Sequence, residues 1–167
     1  ANSARIIVEN GLPPLVSLAK TGSPSAKQDA ALALERLARN DDNKNLIARA
    51  GALGPLVAIV RDGRPMAQEM AALALATLTS TDLSGGVENR CRMLVSQAQG
   101  IEPLINLTRN GHEHAKQNAM SALRNLGIDP NGFEDAAEAT AAFSVLSQFT
   151  SSKVGEAQAE ANRESKL

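Results

Sequence analysis

The chain has 167 residues, 43% of them apolar and 21% charged, with a formal net charge of -1. That is about one domain of soluble globular protein, and it lacks the basic excess of a nucleic-acid-binding surface. One cysteine, Cys91, excludes an intrachain disulfide framework and fits a reducing, cytoplasmic setting, and no apolar run nears the roughly 18 residues that read as a membrane span.

From the N-terminus, Asn2 to Asn10, with Ile6, Ile7 and Val8, reads as a short helix running into Gly11. Ala1 falls in what reads as the middle of a repeat, which implies a processed chain or a fragment. Residues 14–37, PLVSLAKTGSPSAKQDAALALERL, then open a pattern that returns without a gap at 55–78 and at 103–126. The Pro-to-Pro spacings of 41 and 48 residues lie close to the period of helical repeats. The longer spacing comes from a loop-like insertion, Ser80 to Gly86.

Each copy divides into two helices. Pro14, Pro55 and Pro103 suit a helix start, where a fixed φ helps and the missing N–H is not needed. Lys20, Arg61 and Arg109 follow near the end of the short helix and complement its dipole. Gly22, Gly63 and Gly111 stand where a left-handed residue would close it. The longer second helix carries apolar residues at spacings of three and four: Ala30, Ala33, Leu34 and Leu37, then Ala71, Ala74, Leu75 and Leu78, then Ala119, Ala122, Leu123 and Leu126. Aromatic residues make up only 2% of the chain, so Ala and Leu must build the core, which suits close helix packing. A further short helix precedes the second and third copies, at Asn43 to Ala50 before Gly51 and at Asn89 to Gln99 before Gly100. The unit is therefore three helices, short, short and long.

This signature resembles the armadillo-repeat family: N-x(n)-G, then P-L-[VI]-x-[LI]-x-[KR]-x-G, then A-[KQ]-[QE]-x-[A] running into A-L-x-x-L, over residues 2 to 127. The two-helix HEAT class is the nearest alternative, and Gly51 and Gly100 between distinct short helices favour the three-helix form. The expected fold is all-α, a right-handed α-solenoid with an armadillo-type array over 1–127, in units 1–39, 40–80 and 87–127. After Gly127, Asp129-Pro130-Asn131-Gly132 is a turn cluster. A capping helix is expected within 128–150, with Glu134, Asp135 and Glu138 in its first turns and Ala139, Ala142, Phe143, Leu146 and Phe149 on one face. Residues 151–167 read as a polar, flexible tail. It ends in Ser165-Lys166-Leu167, a peroxisomal address if Leu167 is a free native terminus.

No residue set argues for a reaction, so the chain reads as non-catalytic, with no cofactor and no metal. His112 and His114 are two apart at a helix start and are expected to diverge around it in surface or capping roles. Cys91 beside Arg90 and Arg92 could have a lowered pKa, but a small buried residue is the simpler reading. Asp41-Asp42 and Glu134-Asp135 sit where helices begin, and dipole compensation accounts for them. Gly85-Gly86 belongs to no phosphate-binding motif.

The family resemblance implies that the long helices line a concave surface. In peptide-binding members a Trp and an Asn one turn apart form ladders there, the Asn gripping the ligand backbone. Here the Asn positions hold Arg36, Thr77 and Asn125 and the Trp positions hold Leu32, Leu73 and Ser121, a departure that speaks against binding of basic extended peptides. One turn further back lie Gln28, Glu69 and Gln117. These nine residues form the candidate groove for a protein partner, although Leu32 and Leu73 could instead pack against the adjacent repeat. Ile6, Ile7, Leu12 and Leu15 form a second candidate surface at the N-terminal end, where an uncovered repeat face would be apolar. The expected function is a protein-interaction scaffold or a subunit of a larger assembly. The alternative is a regulatory or targeting adaptor of an enzyme, peroxisomal if the terminal tripeptide is read.

Overall fold

The computed structural model describes residues 10–80 and 87–129. Ile6 and Ile7, the body of the 80–86 insertion, the capping helix expected within 128–150 and the terminal Ser165, Lys166 and Leu167 lie outside the described residues. Within them are eight helices and no strand: α1 (Leu12–Thr21), α2 (Pro24–Ala38), α3 (Asp41–Arg49), α4 (Leu53–Asp62), α5 (Pro65–Thr79), α6 (Val87–Gln97), α7 (Ile101–Asn110) and α8 (Glu113–Asn125).

Three of the helices begin at a side-chain cap. Ser23 Oγ accepts from the Ala26 N–H at 3.2 Å, Asn40 Oδ1 from the Asp42 N–H at 3.1 Å, and His112 Nδ1 from the Ala115 N–H at 3.3 Å. Pro24 and Pro65 occupy the first turns of α2 and α5. In α1, α4 and α7 the repeated proline comes two residues later than the sequence suggests: the helices start at Leu12, Leu53 and Ile101. The first four N–H groups of a helix have no intrahelical partner, so a proline at the third position costs no hydrogen bond either.

The glycines after these helices act differently from the expectation. Gly22, Gly63 and Gly111 are extended, with φ of -67°, -74° and -71°, not left-handed. Each donates its N–H to the carbonyl four residues back, Leu18, Ile59 or Leu107, at 2.8 to 2.9 Å. A Cβ on Gly63 would lie 2.4 Å from the Ile59 oxygen, so close approach is what requires glycine there. Left-handed residues lie before the middle helices, Gly51 at φ 80° and Asn10 and Gln99 at 58° and 57°, and after α8, Gly127 at φ 80°. Gly51 therefore aligns with Asn10 and Gln99, one residue ahead of Gly11 and Gly100. The turn tolerates Asn and Gln because only one residue must turn left-handed.

The units stack in register. The long helices pack in the order α2, α5, α8, the middle helices in the order α1, α4, α7, and α3 packs on α6. Leu34, Leu75 and Leu123, one position in three copies, are all fully buried, as are Ala30, Ala71 and Ala119. Ala at these positions lets adjacent long helices approach closely, which is how a chain poor in aromatics still fills its interior. Polar ties cross between units: Asn43 Nδ2 donates to the Leu37 carbonyl at 2.9 Å, and Asn125 Nδ2 to the Ala76 carbonyl, 49 residues away, at 2.9 Å. Within the second unit, Lys44 Nζ reaches Ser80 Oγ at 2.9 Å and Asp41 Oδ1 at 2.7 Å, tying α3 to the end of α5.

One outer face is less covered. Leu18 is 45% exposed where its counterparts Ile59 and Leu107 are 2% and 5% exposed. Leu15 and Val16 are half-buried where Leu56, Val57, Leu104 and Ile105 are buried. Leu12 departs from the expected exposed N-terminal surface: at 6% exposure it belongs to the core, because it packs inward at the start of α1 as Leu53 and Ile101 do in α4 and α7.

Candidate functional site: the face of the long helices

The stripe that buries α2, α5 and α8 against the rest of the fold leaves an opposite row of positions free. Arg36, Gln117 and Ser121 are exposed, and Gln28, Leu32, Glu69, Leu73, Thr77 and Asn125 are half-buried. None of the nine predicted groove residues is fully buried, so all of them lie off the buried stripe of the three long helices. Leu32 and Leu73 are neither fully packed nor fully free.

Several polar groups here are held by the chain itself. Thr77 Oγ1 donates to the Leu73 carbonyl at 3.0 Å, and Ser121 Oγ to the Gln117 carbonyl at 3.0 Å, so both hydroxyls turn back on their own helix. Gln117 Nε2 donates to Glu113 Oε1 at 2.9 Å. Asn125, the one retained ladder asparagine, bridges to α5 through the Ala76 carbonyl, and Asn118 reaches the Glu69 carbonyl at 3.3 Å. Replacing Asn125 by Ala removes the bond between units and leaves the Ala76 carbonyl only the longer Thr79 Oγ1 contact at 3.4 Å. It is expected to cost about 1 kcal/mol, read as a lowered midpoint in urea unfolding. An unchanged midpoint would show that the bond adds nothing to the α5–α8 contact.

A contact missing from the sequence reading gathers at Glu69. His112 Nε2 lies 3.2 Å from Glu69 Oε2 and His114 Nδ1 lies 3.9 Å from Oε1. The two imidazoles therefore converge on one carboxylate of the preceding unit instead of diverging. His112 is the N-cap, outside the regular helix, so the rule for side chains on a continuous helix face does not govern it. Because its Nδ1 accepts the Ala115 N–H, its neutral form carries the proton on Nε2 and donates to Glu69. Only helix stacking brings residues this far apart in sequence together, and no local signal reveals it. Among the described residues no three His, Cys, Asp or Glu side chains are spaced to hold a metal ion.

Two other features are not part of this face. Cys91 is buried, and burial pushes its thiol pKa up, against a smaller opposing effect of the Lys44 and Arg90 charges. The buried-residue reading therefore stands, and the lowered pKa weighed against it does not. Cys91 should resist a thiol reagent at pH 7 in the folded chain and react once urea unfolds it. Equal rates in the two states would contradict this burial. An open cleft of about 290 Å³ lies between α4 and α7, lined by Val60, Arg61, Gln68, Glu102 and Asn106 among others. Arg61 is paired to the adjacent Asp62 at 3.1 Å and Gln68 is bonded to the Val60 carbonyl at 2.9 Å, so these two of its polar lining residues are already engaged.

Three-helix units stacked in register, with the third helices side by side, define an α-solenoid of the repeat class. The armadillo/beta-catenin-like repeat profile matches residues 1–39, 40–80 and 88–127, and the chain belongs to that family. No curated protein matches the chain. Among solved structures it is similar to a designed armadillo repeat protein in complex with the peptide (KR)4, at 23% identity over 84% of this chain and 56% of that one, with a TM-score of 0.68. Two crystal structures of engineered proteins are similar at 24% and 26% identity, over 85% and 89% of this chain and 54% and 58% of theirs, each with a TM-score of 0.69. The chain spans a little over half the length of these structures. No helix among the described residues is long and apolar enough to cross a membrane.

Proposed function

We propose that this chain is a non-catalytic interaction scaffold, acting within a larger assembly, that binds a protein partner through the concave face of α2, α5 and α8. Armadillo repeats are in general protein-binding scaffolds, and the family membership supports that much directly. The observation that carries the particular surface is the contrast between positions. Leu34, Leu75 and Leu123 repeat one chemistry at a buried site, while Arg36, Thr77 and Asn125 offer three chemistries at one uncovered site. A fold needs the first set and does not explain the second. A face that differs from unit to unit suits one particular protein surface better than a repetitive ligand. The similar designed protein holds (KR)4, whereas here Arg36 stands in the groove and the Glu69 carboxylate already faces two imidazoles, which disfavours a run of basic residues.

Leu73→Arg and Ser121→Arg test the reading. Each places a long charged side chain on the concave face without entering the buried stripe. Both should weaken binding of a co-purifying partner by tenfold or more, about 1.4 kcal/mol, while far-ultraviolet circular dichroism stays unchanged. A partner retained at full affinity by both variants would remove the concave face from the proposal.

A further inference from the structure

The concave side chains fall into those engaged within the chain and those left open. Thr77, Gln117, Ser121 and Asn125 each donate to a carbonyl or carboxylate of this chain at 2.9 to 3.0 Å. Gln28 is the one amide at the groove positions engaged with no other described residue. What stays open on the middle helix is apolar. Met66 is 51% exposed, Leu73 is half-buried, Met70 is half-buried with part of its side chain packed on the core, and Leu32 carries the strip across to α2. Met66, Met70 and Leu73 stand at i, i+4 and i+7, so they form one stripe along α5. Methionine adapts its shape to a partner better than branched side chains do. Two charges flank the strip on α2: Asp29 and Arg36 are both exposed, seven residues and about two turns apart, and neither forms an ion pair among the described residues.

These facts discriminate between kinds of ligand. An extended peptide brings unpaired backbone N–H and C=O groups, and the groove must satisfy them. A helix arrives with its backbone already bonded and asks only for an apolar strip and suitable charges at its rims. We infer that the concave face receives an amphipathic helix of a partner protein. Apolar anchors at i, i+3 or i+4, and i+7 seat on Leu32, Met66, Met70 and Leu73, with an acidic residue beside Arg36 and a basic one beside Asp29, about two turns apart on the one flank that faces α2. This rests on the concave face being the protein-binding surface.

The test selects binders of the full chain from two displayed libraries. One is a helix-forming scaffold randomised at its i, i+3, i+4, i+7 and flanking positions. The other is a set of linear peptides with a central proline that bars helix formation. The helix library should yield the binders, with acid and base about two turns apart on one flank. Their affinity should fall about tenfold on Met66→Glu and on Arg36→Glu, and Lys in place of the binder's acid should restore binding to Arg36→Glu. Both positions are exposed, so the fold survives either change, as circular dichroism would verify. Linear binders that weaken on Met66→Glu would overturn the helix and keep the concave face. Binders indifferent to both substitutions, or no binder from either library, would overturn both.

Discussion

Leu75→Asp is expected to abolish the cooperative unfolding transition of the chain. Leu75 is fully buried at the centre of α5, and α5 packs on α2, α4, α6 and α8. A carboxylate there has no partner in an interior built from Ala, Leu and Val. Losing the leucine contacts and burying an unpaired charge each cost several kcal/mol. The sum rivals the roughly 5–15 kcal/mol that holds a domain together. Because solenoid stability is a chain of neighbour interfaces, damage at the middle unit breaks contacts on both sides. Urea titration followed by circular dichroism should show a broad, early loss of helix. A midpoint close to that of the unsubstituted chain would mean that α5 is not the centre of the core.

Gly63→Ala is expected to destabilise more than Gly51→Ala, although only Gly51 has a backbone that disfavours other residues. Gly51, at φ 80°, has nothing within 4 Å of an added Cβ, so Ala there incurs only left-handed strain, about 1–2 kcal/mol. Gly63 is extended, but its Cβ would meet the Ile59 oxygen at 2.4 Å and Ile59 Cγ2 at 3.0 Å. Relief requires moving backbone at the junction of α4 and α5, at about 2–3 kcal/mol. Denaturation midpoints of the two variants decide the order, and a larger loss for Gly51→Ala would show that left-handed strain outweighs the crowding at Gly63.

The pair shows where sequence reading reached and where it stopped. Helical periodicity is local, so the stripe of Leu75 and Leu78 with its Ala neighbours was visible and its threefold recurrence named the fold. The Pro14, Pro55 and Pro103 register was visible too, but a proline satisfies the first and the third helical position equally well, so the helix starts were misplaced by two residues. A glycine closing a helix signals a constraint without saying whether the cause is φ or crowding, and at Gly63 the cause is crowding against Ile59. That the nine groove positions lie off the buried stripe was legible, because the face opposite such a stripe follows from helix geometry. What each groove residue does was not. Asn125 turns to Ala76 and Glu69 to His112 across unit boundaries, and such pairs depend on the packing angle between helices. Cys91 was placed correctly as a buried residue, while its neighbouring arginines suggested the opposite pKa direction because sequence adjacency carries no measure of desolvation.

The central claim is that the face of α2, α5 and α8 binds a protein. The most direct measurement is a structure of the chain with the partner that co-purifies with it. The account predicts that a partner helix covers Leu32, Met66, Leu73 and Ser121 and leaves α3 and α6 exposed. A partner seated on α3 and α6, or over Leu15 and Leu18 with the long helices bare, would contradict it.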